Sequence, residues 1–366
     1  MIRKSVLLAL VACLSLALLV PRLVQAQAQS ELVVLVSSAQ AEFPSRLDFS
    51  LSAESNTNIT DIRLHYIVDM EGFAQVTSEV YIEFVPATTA DVGWTWDMRK
   101  TGGLPPGSSV DYWWVVEDDE NGMVETAPAK VNFDDFRYPW RSLTEGKLTL
   151  YWYEGRESFA QELMTTAWQA LVRLTGDTGA ELEKPVKLYI YATPQDLQGA
   201  MIYPQEWTGG AAFTRYSTIV IGIAPDKLLW GKGAIAHELA HLVIHQATFN
   251  PYGGLPTWLS EGLATYAEGA FGSKHATYIN KAIAEGSLIS VHSLSSPFSA
   301  YAEESYLSYG QSYSLVEFLI NGYGQGRMLK LLNTFRQGSS YDAALEEVYG
   351  FDMDGLDGLW RDYITR

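Results

Sequence analysis

His237, Glu238 and His241 constrain the fold of this 366-residue chain more than any other feature of its sequence. Residues four apart on a helix lie on nearly the same face and about 6 Å apart along the axis, so His237 and His241 can direct two imidazole nitrogens at one point. Glu238 is rotated about 100° from His237 and can contact a water molecule there without binding a metal itself. The spacing predicts a helix that carries two metal ligands and a general base.

Glu261 is the candidate third ligand. The 19 residues from 242 to 260 separate it from His241, enough to end one helix, turn and begin another. Two neutral histidines and one carboxylate leave a fourth position open for water, which is typical of catalytic zinc. The His-Glu-x-x-His pattern alone is a weak signal, because short patterns recur by chance and a His-Glu pair also occurs on solvated helix faces. We expect one Zn²⁺ per chain, held by His237, His241 and Glu261.

The segment around Glu261 strengthens this interpretation. Residues 258–264 read Trp-Leu-Ser-Glu-Gly-Leu-Ala, and this segment is similar to the Trp-Leu-Asn-Glu-Gly-Phe-Ala block of aminopeptidase N relatives. Together with residues 237–241 it resembles the gluzincin metallopeptidases, in which a Glu from the next helix completes the zinc site, and the 19-residue gap looks like that of thermolysin. The stretch as a whole looks most like the peptidase MA-like domains of bacterial secreted proteins, and the resemblance covers roughly residues 145–366 and is specific over 232–268.

A tyrosine that stabilises the oxyanion is a further part of the resemblance. Gluzincins of the aminopeptidase type carry such a Tyr downstream of the third ligand, and residues 309–316, Tyr-Gly-Gln-Ser-Tyr-Ser-Leu-Val, resemble the start of that helix. Tyr309 is therefore the first candidate, and Tyr313 and Tyr306 are lesser ones. The chain has 21 tyrosines, so ordinary packing is the competing interpretation for each.

The resemblance also implies a reaction and a substrate-binding strand. Glu238 would act as general base in the hydrolysis of a peptide bond, and the substrate would lie antiparallel to an edge strand between Ala211 and Ile223, formed by residues 211–216 or 218–223. The Gly-x-Met-Glu-Asn motif with which aminopeptidase N relatives hold a free N-terminus is missing, and residues 208–213 occupy its place. We therefore expect an endopeptidase rather than an exopeptidase.

Two further residues near the motif have open roles. His245 lies four residues after His241 but is rotated about 80° from His237, so we expect a supporting or interface role rather than metal binding. Glu268 follows Glu261 by seven residues and lies on nearly the same helix face. It can support a ligand histidine or simply be solvated at the surface.

Residues 1–28 have the pattern of a targeting segment. Arg3 and Lys4 precede an apolar run, and small residues near Ala26 and Ala28 offer a cleavage site. Residues 10–13, ending at Cys13, resemble a bacterial lipobox, but the apolar run continues beyond Cys13, which favours cleavage near Ala26 or Ala28 over lipidation. We expect a secreted or otherwise extracytoplasmic protein.

Charge and cysteine content exclude several classes of function. The formal net charge of −18 argues against nucleic-acid binding, which needs clustered Lys and Arg. Cys13 is the only cysteine, so a chain cleaved after residue 26 or 28 has no disulfide, no cysteine nucleophile and no thiolate zinc ligand. The remaining metal-binding groups are His, carboxylate and water, which fits a catalytic His₂Glu site.

Residues 29–135 are predicted to form a β-sandwich. Short alternating segments are separated by turn signals, among them Asn121-Gly122, and about seven strands fall within about 100 residues. The predicted strands include residues 32–36, 47–51, 62–68, 80–84, 94–96, 110–116 and 123–131. This spacing is typical of immunoglobulin-like and fibronectin type III modules, and such a module would offer a surface to a cell-surface or envelope partner.

The pattern changes after residues 136–140, where Pro139 interrupts any central strand. Residues 142–366 alternate first between strands and helices and then contain helices only. Residues 148–153 and 186–191 are predicted strands, and residues 158–174 form a predicted amphipathic helix. The predicted fold is thus multidomain: an all-β sandwich followed by an α+β domain of the gluzincin type.

Three functions remain open on sequence alone. The first is a secreted zinc metallopeptidase with Glu238 as general base. The second is a catalytically silent protein of this fold that serves in binding or surface attachment, against which the intact Glu238 argues. The third is a zinc hydrolase of a non-peptide amide or ester. The sequence does not indicate the substrate or the oligomeric state.

Overall fold

The computed structural model describes residues 31–204, 208–269, 272–299 and 301–365. The predicted targeting segment, residues 1–28, lies outside the described residues. An all-β region comes first and a mixed region with a five-stranded sheet and many helices follows, which confirms the predicted fold class. Among the described helices, none combines the length and apolarity needed to cross a membrane.

The first region contains seven strands that are hydrogen-bonded into one continuous sheet. All pairings between them are antiparallel. The strands are β1 (Val33–Glu42), β2 (Arg46–Val68), β3 (Ser78–Tyr81), β4 (Ala87–Asp97), β5 (Ser108–Asp118), β6 (Met123–Glu125) and β7 (Ala129–Phe133).

Strand β2 connects the two halves of this region. We predicted separate strands at residues 47–51 and 62–68, but the structure has one 23-residue strand. Its first half pairs with β1 and β4, and its second half pairs with β3 and β5. The register shifts near Ile59, where the buried positions change from odd to even numbers, as expected for a bulge. The irregularity redirects the chain without ending the strand.

The core of the first region lies between the two halves of β2. Phe49 from the first half meets Tyr112 of β5 edge to face, with ring centroids 5.2 Å apart. Trp96 and Trp114 are also buried in this core, which places them among packing residues.

A turn joins β5 to β6 where Asn121-Gly122 predicted one, but it is longer than the two-residue turn typical of Asn-Gly. Residues 119–122 separate the strands, the N–H of Asp118 bonds to the carbonyl of Gly122, and only Asn121 of the pair has a positive φ, 64°. The predicted strand at residues 123–131 is nevertheless divided into β6 and β7. Pro128 lies between them, and its missing N–H cannot join the ladder.

The second sheet has the order β11-β12-β10-β9-β8. Strands β9, β10 and β12 are parallel, and the edge strands β8 and β11 are antiparallel to their neighbours. Strand β8 was not predicted. The strands are β8 (Arg141–Glu145), β9 (Leu148–Trp152), β10 (Val186–Tyr191), β11 (Gly210–Phe213) and β12 (Thr218–Gly222).

Helices cover this sheet and complete the chain. Apolar side chains of β9, β10 and β12 share one buried core with those of the long helices, as their alternation and helical periodicity predict. The helices are α1 (Glu157–Thr178), α2 (Pro194–Gln198), α3 (Leu228–Thr248), α4 (Thr257–Ala267), α5 (Ser273–Glu285), α6 (Val291–Leu294), α7 (Ala302–Tyr323), α8 (Gln325–Arg336), α9 (Tyr341–Tyr349) and α10 (Met353–Ile364).

A polar network ties the segment between the two regions to the second sheet. The fully buried carboxylate of Asp135 accepts hydrogen bonds from the Arg137 guanidinium at 2.7 and 2.8 Å and from the Tyr191 hydroxyl at 2.9 Å. Arg137 in turn donates to the carbonyl of Gly199 at 2.7 Å. The junction is therefore fixed by charge-assisted hydrogen bonds.

Candidate metal centre

Helix α3 carries His237, Glu238 and His241, as the spacing predicted. Its apolar positions, such as Ile235 and Leu239, are buried in the core, which leaves the two histidines facing a cleft of about 660 Å³. Burial of one face thus fixes the direction of the ligands on the other.

Helix α4 supplies Glu261. Trp258 and Leu263 of this helix are fully buried. Gly262 allows α4 to pack closely on α7, because a Cβ atom at this position would collide with the backbone of Ser312. The close contact holds Glu261 against the cleft and brings α7, with Tyr309, next to it.

The three predicted ligands converge. The Nε2 atoms of His237 and His241 are 3.2 Å apart, and each lies 3.4 Å from Oε2 of Glu261. Zinc bonds of 2.0–2.2 Å in a tetrahedral site would separate ligand atoms by about 3.3–3.6 Å. Among the described residues, these three side chains form a group of His and Glu close enough together to share a metal ion. The dimensions of the group fit zinc.

Hydrogen bonds to the other ring nitrogens orient both histidines. His237 Nδ1 lies 2.8 Å from Oε1 of Glu268, and His241 Nδ1 lies 3.3 Å from Oγ of Ser260. A carboxylate can only accept, so Nδ1 of His237 donates to Glu268, and its Nε2, which faces His241, is the atom left to bind a proton or a metal ion. Oε2 of Glu261 is buried without a hydrogen bond of good geometry. These atoms all offer electron pairs to one point, which requires a cation there.

The pKa values agree with this requirement. Burial would lower the pKa of His237, but its contacts with Glu261 and Glu268 outweigh burial and raise that pKa to about 10. Burial would raise the pKa of Glu261, but the two histidines beside it hold the pKa well below its ordinary value. The surroundings thus favour a positive charge between these side chains.

Glu238 lines the same cleft on the side of β11. A Cβ atom at Gly210 would lie 3.0 Å from Oε1 of Glu238, so the strand passes directly beside the carboxylate. Burial raises the pKa of Glu238, opposed by the charges of His237 and His241. Gly210 had no predicted role, although the Gly209-Gly210 pair at the start of β11 is a signal for a close approach of the backbone.

Tyr309 also lines the cleft, with its ring centroid 6.2 Å from that of His237 and its ring in a T-shaped contact with that of Phe298. Burial, followed by the nearby carboxylates, raises its pKa above the ordinary value, so the phenol remains a hydrogen-bond donor. The other two candidates lie elsewhere: Tyr313 packs on Tyr266, and Tyr306 stacks on Tyr278.

The predicted substrate strand needs a correction. We expected residues 211–216 or 218–223, but the first strand ends at Phe213, where Thr214–Tyr216 forms a 3₁₀ turn that leads to Ser217 at φ 49°. The second is the buried strand β12, which lies between β11 and β10. Of these two segments, β11 has the free edge.

The structure assigns different contacts to His245 and Glu268, the two residues whose roles were open. His245 lines the cleft, but its Nε2 lies 3.5 Å from Oε2 of Glu71 in the first region, which is the interface role expected of it. Glu268 contacts a ligand histidine, the less common of its two open alternatives. Ser260 was missed, although its place directly before Glu261 was a signal.

Comparison with known proteins gives remote structural similarities. An M1 zinc metallopeptidase from Deinococcus radiodurans is 13% identical, with 90% of this chain and 92% of that one covered and a TM-score of 0.36. Aminopeptidase A of Legionella pneumophila, solved with aspartic acid, is 10% identical over 90% of this chain and 49% of that one, with a TM-score of 0.39. A β-1,3-glucan binding domain of carbohydrate-binding module family 56 is 15% identical over 27% of this chain and 99% of that one, with a TM-score of 0.18.

Similarities at these identities and TM-scores do not indicate what the chain binds or cleaves, and no curated protein matches it. The family comparison is decisive instead. The family model of the Peptidase MA superfamily matches residues 166–366, which include α3, α4 and Tyr309. This match spans more than half of the chain, and the protein therefore belongs to the Peptidase MA superfamily.

Proposed function

We propose that this protein is a secreted zinc metallopeptidase that hydrolyses internal peptide bonds. The observation that carries the proposal is the triangle formed by His237, His241 and Glu261, with ligand atoms 3.2–3.4 Å apart at the wall of a cleft that Glu238 also lines. A structural metal site would be closed by a fourth protein ligand. Among the described residues, no fourth His, Cys, Asp or Glu side chain joins this triangle, which leaves a position open toward the cleft.

Zinc bound there would supply Lewis acidity, which makes water a nucleophile at neutral pH and polarises a carbonyl oxygen. Glu238 takes a proton from the attacking water and delivers it to the departing amine nitrogen. Tyr309 donates its phenolic proton in a hydrogen bond to the developing oxyanion. Glu268 and Ser260 hold the ligand histidines in orientation through Nδ1.

The free edge of β11 supports a peptide as substrate. An extended chain can add to such an edge through backbone hydrogen bonds, which depend little on the side chains of the substrate. Strand β11 begins beside Glu238, so a peptide paired with it would present a backbone carbonyl next to the general base.

Secretion is supported by the basic start, apolar run and small-residue cleavage site within residues 1–28. N-terminal sequencing of protein exported by a bacterial host tests this part of the proposal. A mature chain that starts near residue 27 or 29 is expected, and an uncleaved chain retained in the cytoplasm contradicts it.

The test of the activity is mass-spectrometric cleavage profiling of a peptide library by the zinc-loaded protein, with the isosteric variant Glu238→Gln in parallel. We expect internal cleavage by the native protein and a rate lower by about 10³-fold in the variant, at unchanged zinc content, because only the proton acceptor is lost. Equal cleavage by both proteins would exclude Glu238 as the base. No cleavage by either, with one zinc per chain, would instead favour a binding role or a non-peptide substrate.

A further inference from the structure

The loop between β2 and β3, residues 69–77, reaches from the β-sandwich to the second region. The backbone N–H of Glu71 donates to the carbonyl of Arg215 at 2.7 Å, and Nε of Arg215 donates to the carbonyl of Glu71 at 3.0 Å. Arg215 belongs to the turn that directly follows β11. The loop is therefore hydrogen-bonded to the end of the strand that we expect to bind the substrate.

The side chain of Glu71 adds a second anchor. It is only 11% exposed, forms an ion pair with Lys184 and lies 3.5 Å from Nε2 of His245, two turns of α3 beyond His237. One backbone hydrogen bond, one hydrogen bond from the Arg215 side chain and the ion pair with Lys184, whose side chain is half exposed, hold the loop in one position. The contact with His245 places it beside the C-terminal half of α3.

Phe73 is presented by this anchored loop. Its ring stacks on that of Phe249 with centroids 4.2 Å apart and planes within 10°. Phe249 follows the last residue of α3 and lines the same cleft as His241 and Glu238. Because 58% of Phe73 remains exposed, the pair presents open apolar surface at one end of the catalytic cleft.

The direction of β11 determines which part of a substrate would reach this pair. The strand begins at Gly210 beside Glu238 and runs toward Arg215 beside the loop. A peptide antiparallel to β11 therefore has its N-terminal part near Phe249 and its cleaved bond near Glu238. Eight residues of helix from His241 to Phe249 span about 12 Å, the length of three to four extended residues.

We infer that Phe73 and Phe249 form an apolar subsite for the substrate side chain three to four residues N-terminal to the cleaved bond. The inference rests on the proposed peptidase function and assigns part of the specificity to the β-sandwich. A substrate that fills this subsite extends at least three residues before the cleaved bond, which suits an endopeptidase.

The experiment compares peptides that are identical except for Phe or Gly at the third and fourth positions before the cleaved bond. We expect kcat/KM to be about tenfold higher with Phe, because a large apolar side chain becomes partly buried. In Phe73→Ala this ratio falls to about one. A third peptide has Arg at these positions, and in Phe73→Glu it should be cleaved in preference to the Phe peptide. Tyr81→Ala removes an aromatic that is 65% exposed on the same sandwich and outside the cleft, and it leaves the ratio unchanged.

Dissociation constants of the same peptides with Glu238→Gln, measured by fluorescence anisotropy, provide a readout without turnover and should show the same ratio. Peptides that are cleaved by the native protein without preference, or a ratio that survives Phe73→Ala, would overturn the subsite and leave the peptidase intact. Equal losses for both peptides in Phe73→Ala would also overturn it, because they indicate a structural role. Peptides that are neither bound nor cleaved would overturn the peptidase and the subsite together.

Discussion

Two of the buried polar clusters in the described part of the chain, the junction and the metal centre, differ in whether their atoms satisfy each other. At the junction, Asp135 accepts hydrogen bonds from Arg137 and Tyr191, so donors and acceptors match. At the metal centre, two imidazole nitrogens and a carboxylate oxygen all present electron pairs to one another. A network that is satisfied from within holds a structure together, whereas convergent atoms of one polarity bind something of the opposite charge.

The pKa values of Tyr191 at the junction and His237 at the metal centre show the same difference between the two clusters. Burial and the neighbouring Asp135 raise the pKa of Tyr191 far above its ordinary value, which keeps its hydroxyl a donor to that carboxylate. The proton belongs to the network and stays there. At His237 the pKa is raised to about 10 by carboxylates, and the proton stands where a metal would bind. Zinc therefore competes with a proton at the metal centre and is not expected to bind at the junction.

Asp135→Asn should have the largest effect on stability. The substitution removes the charge that balances Arg137 and leaves its partly buried guanidinium without a counter-charge. We expect a loss of about 3 kcal/mol in the free energy of unfolding, the low end for a broken buried pair because Arg137 is 35% exposed. Urea unfolding measures it, and the loss should be equal with and without zinc.

Glu261→Gln is the matched substitution at the other cluster. Zinc at 100 times its dissociation constant should stabilise the native protein, and also Asp135→Asn, by about 2.7 kcal/mol. It should not stabilise Glu261→Gln at the same concentration, because one of three ligands is lost. A zinc-dependent loss at Asp135, or an unchanged zinc effect in Glu261→Gln, would remove the distinction between the clusters.

The metal centre could be predicted from the sequence because its geometry is local. Four residues on one helix place His237 and His241 together whatever the rest of the chain does, and Glu261 follows in a recognisable segment. Tyr309 needed the family pattern, since 48 positions separate it from Glu261 and periodicity does not set that distance. Glu268 lay on the correct helix face, but its contact with His237 depends on how α3 and α4 cross.

The junction and the sandwich pairing could not be predicted in this way. Asp135 and Tyr191 are 56 positions apart, and neither residue type indicates a partner at that distance. Alternation predicted the strand segments at residues 47–51 and 62–68 but not their continuity in β2, because a bulge preserves the ladder while it shifts the register. Local patterns predict elements, and long-range contacts decide how the elements join.

Tyr309→Phe should change the rate rather than stability or zinc binding, and it concerns the metal centre alone. The ring keeps its contacts with His237 and Phe298, and only the hydroxyl is lost. We expect kcat to fall by about 10²-fold, with unchanged zinc content and stability, because the donor acts on the transition state. Tyr313→Phe is the control, since its ring packs on Tyr266, and it should retain kcat. An unchanged kcat in Tyr309→Phe would exclude this hydroxyl as the oxyanion donor.

Glu268→Gln tests a contact that shares features of both clusters. Glu268 and His237 form a matched donor–acceptor pair, as at the junction, but His237 is also a ligand of the metal centre. Oε1 of Glu268 accepts from Nδ1 of His237 at 2.8 Å, which orients the ring and makes Nε2 a better electron donor. We expect zinc affinity to fall by about tenfold, the low end for such partners, because Glu268 is 38% exposed. Competition with a chelator measures it.

Glu285→Gln, an exposed glutamate on α5, is the control for the loss of one negative charge. Its zinc affinity should match that of the native protein. At saturating zinc, Glu268→Gln should recover most of its activity, since the substitution weakens the hold on the metal rather than the proton transfer by Glu238. Equal losses of affinity in both variants would show that Glu268 acts only through the overall charge. The hydrogen bond to His237 would then belong with the junction network, as a contact that stabilises the fold without tuning the site.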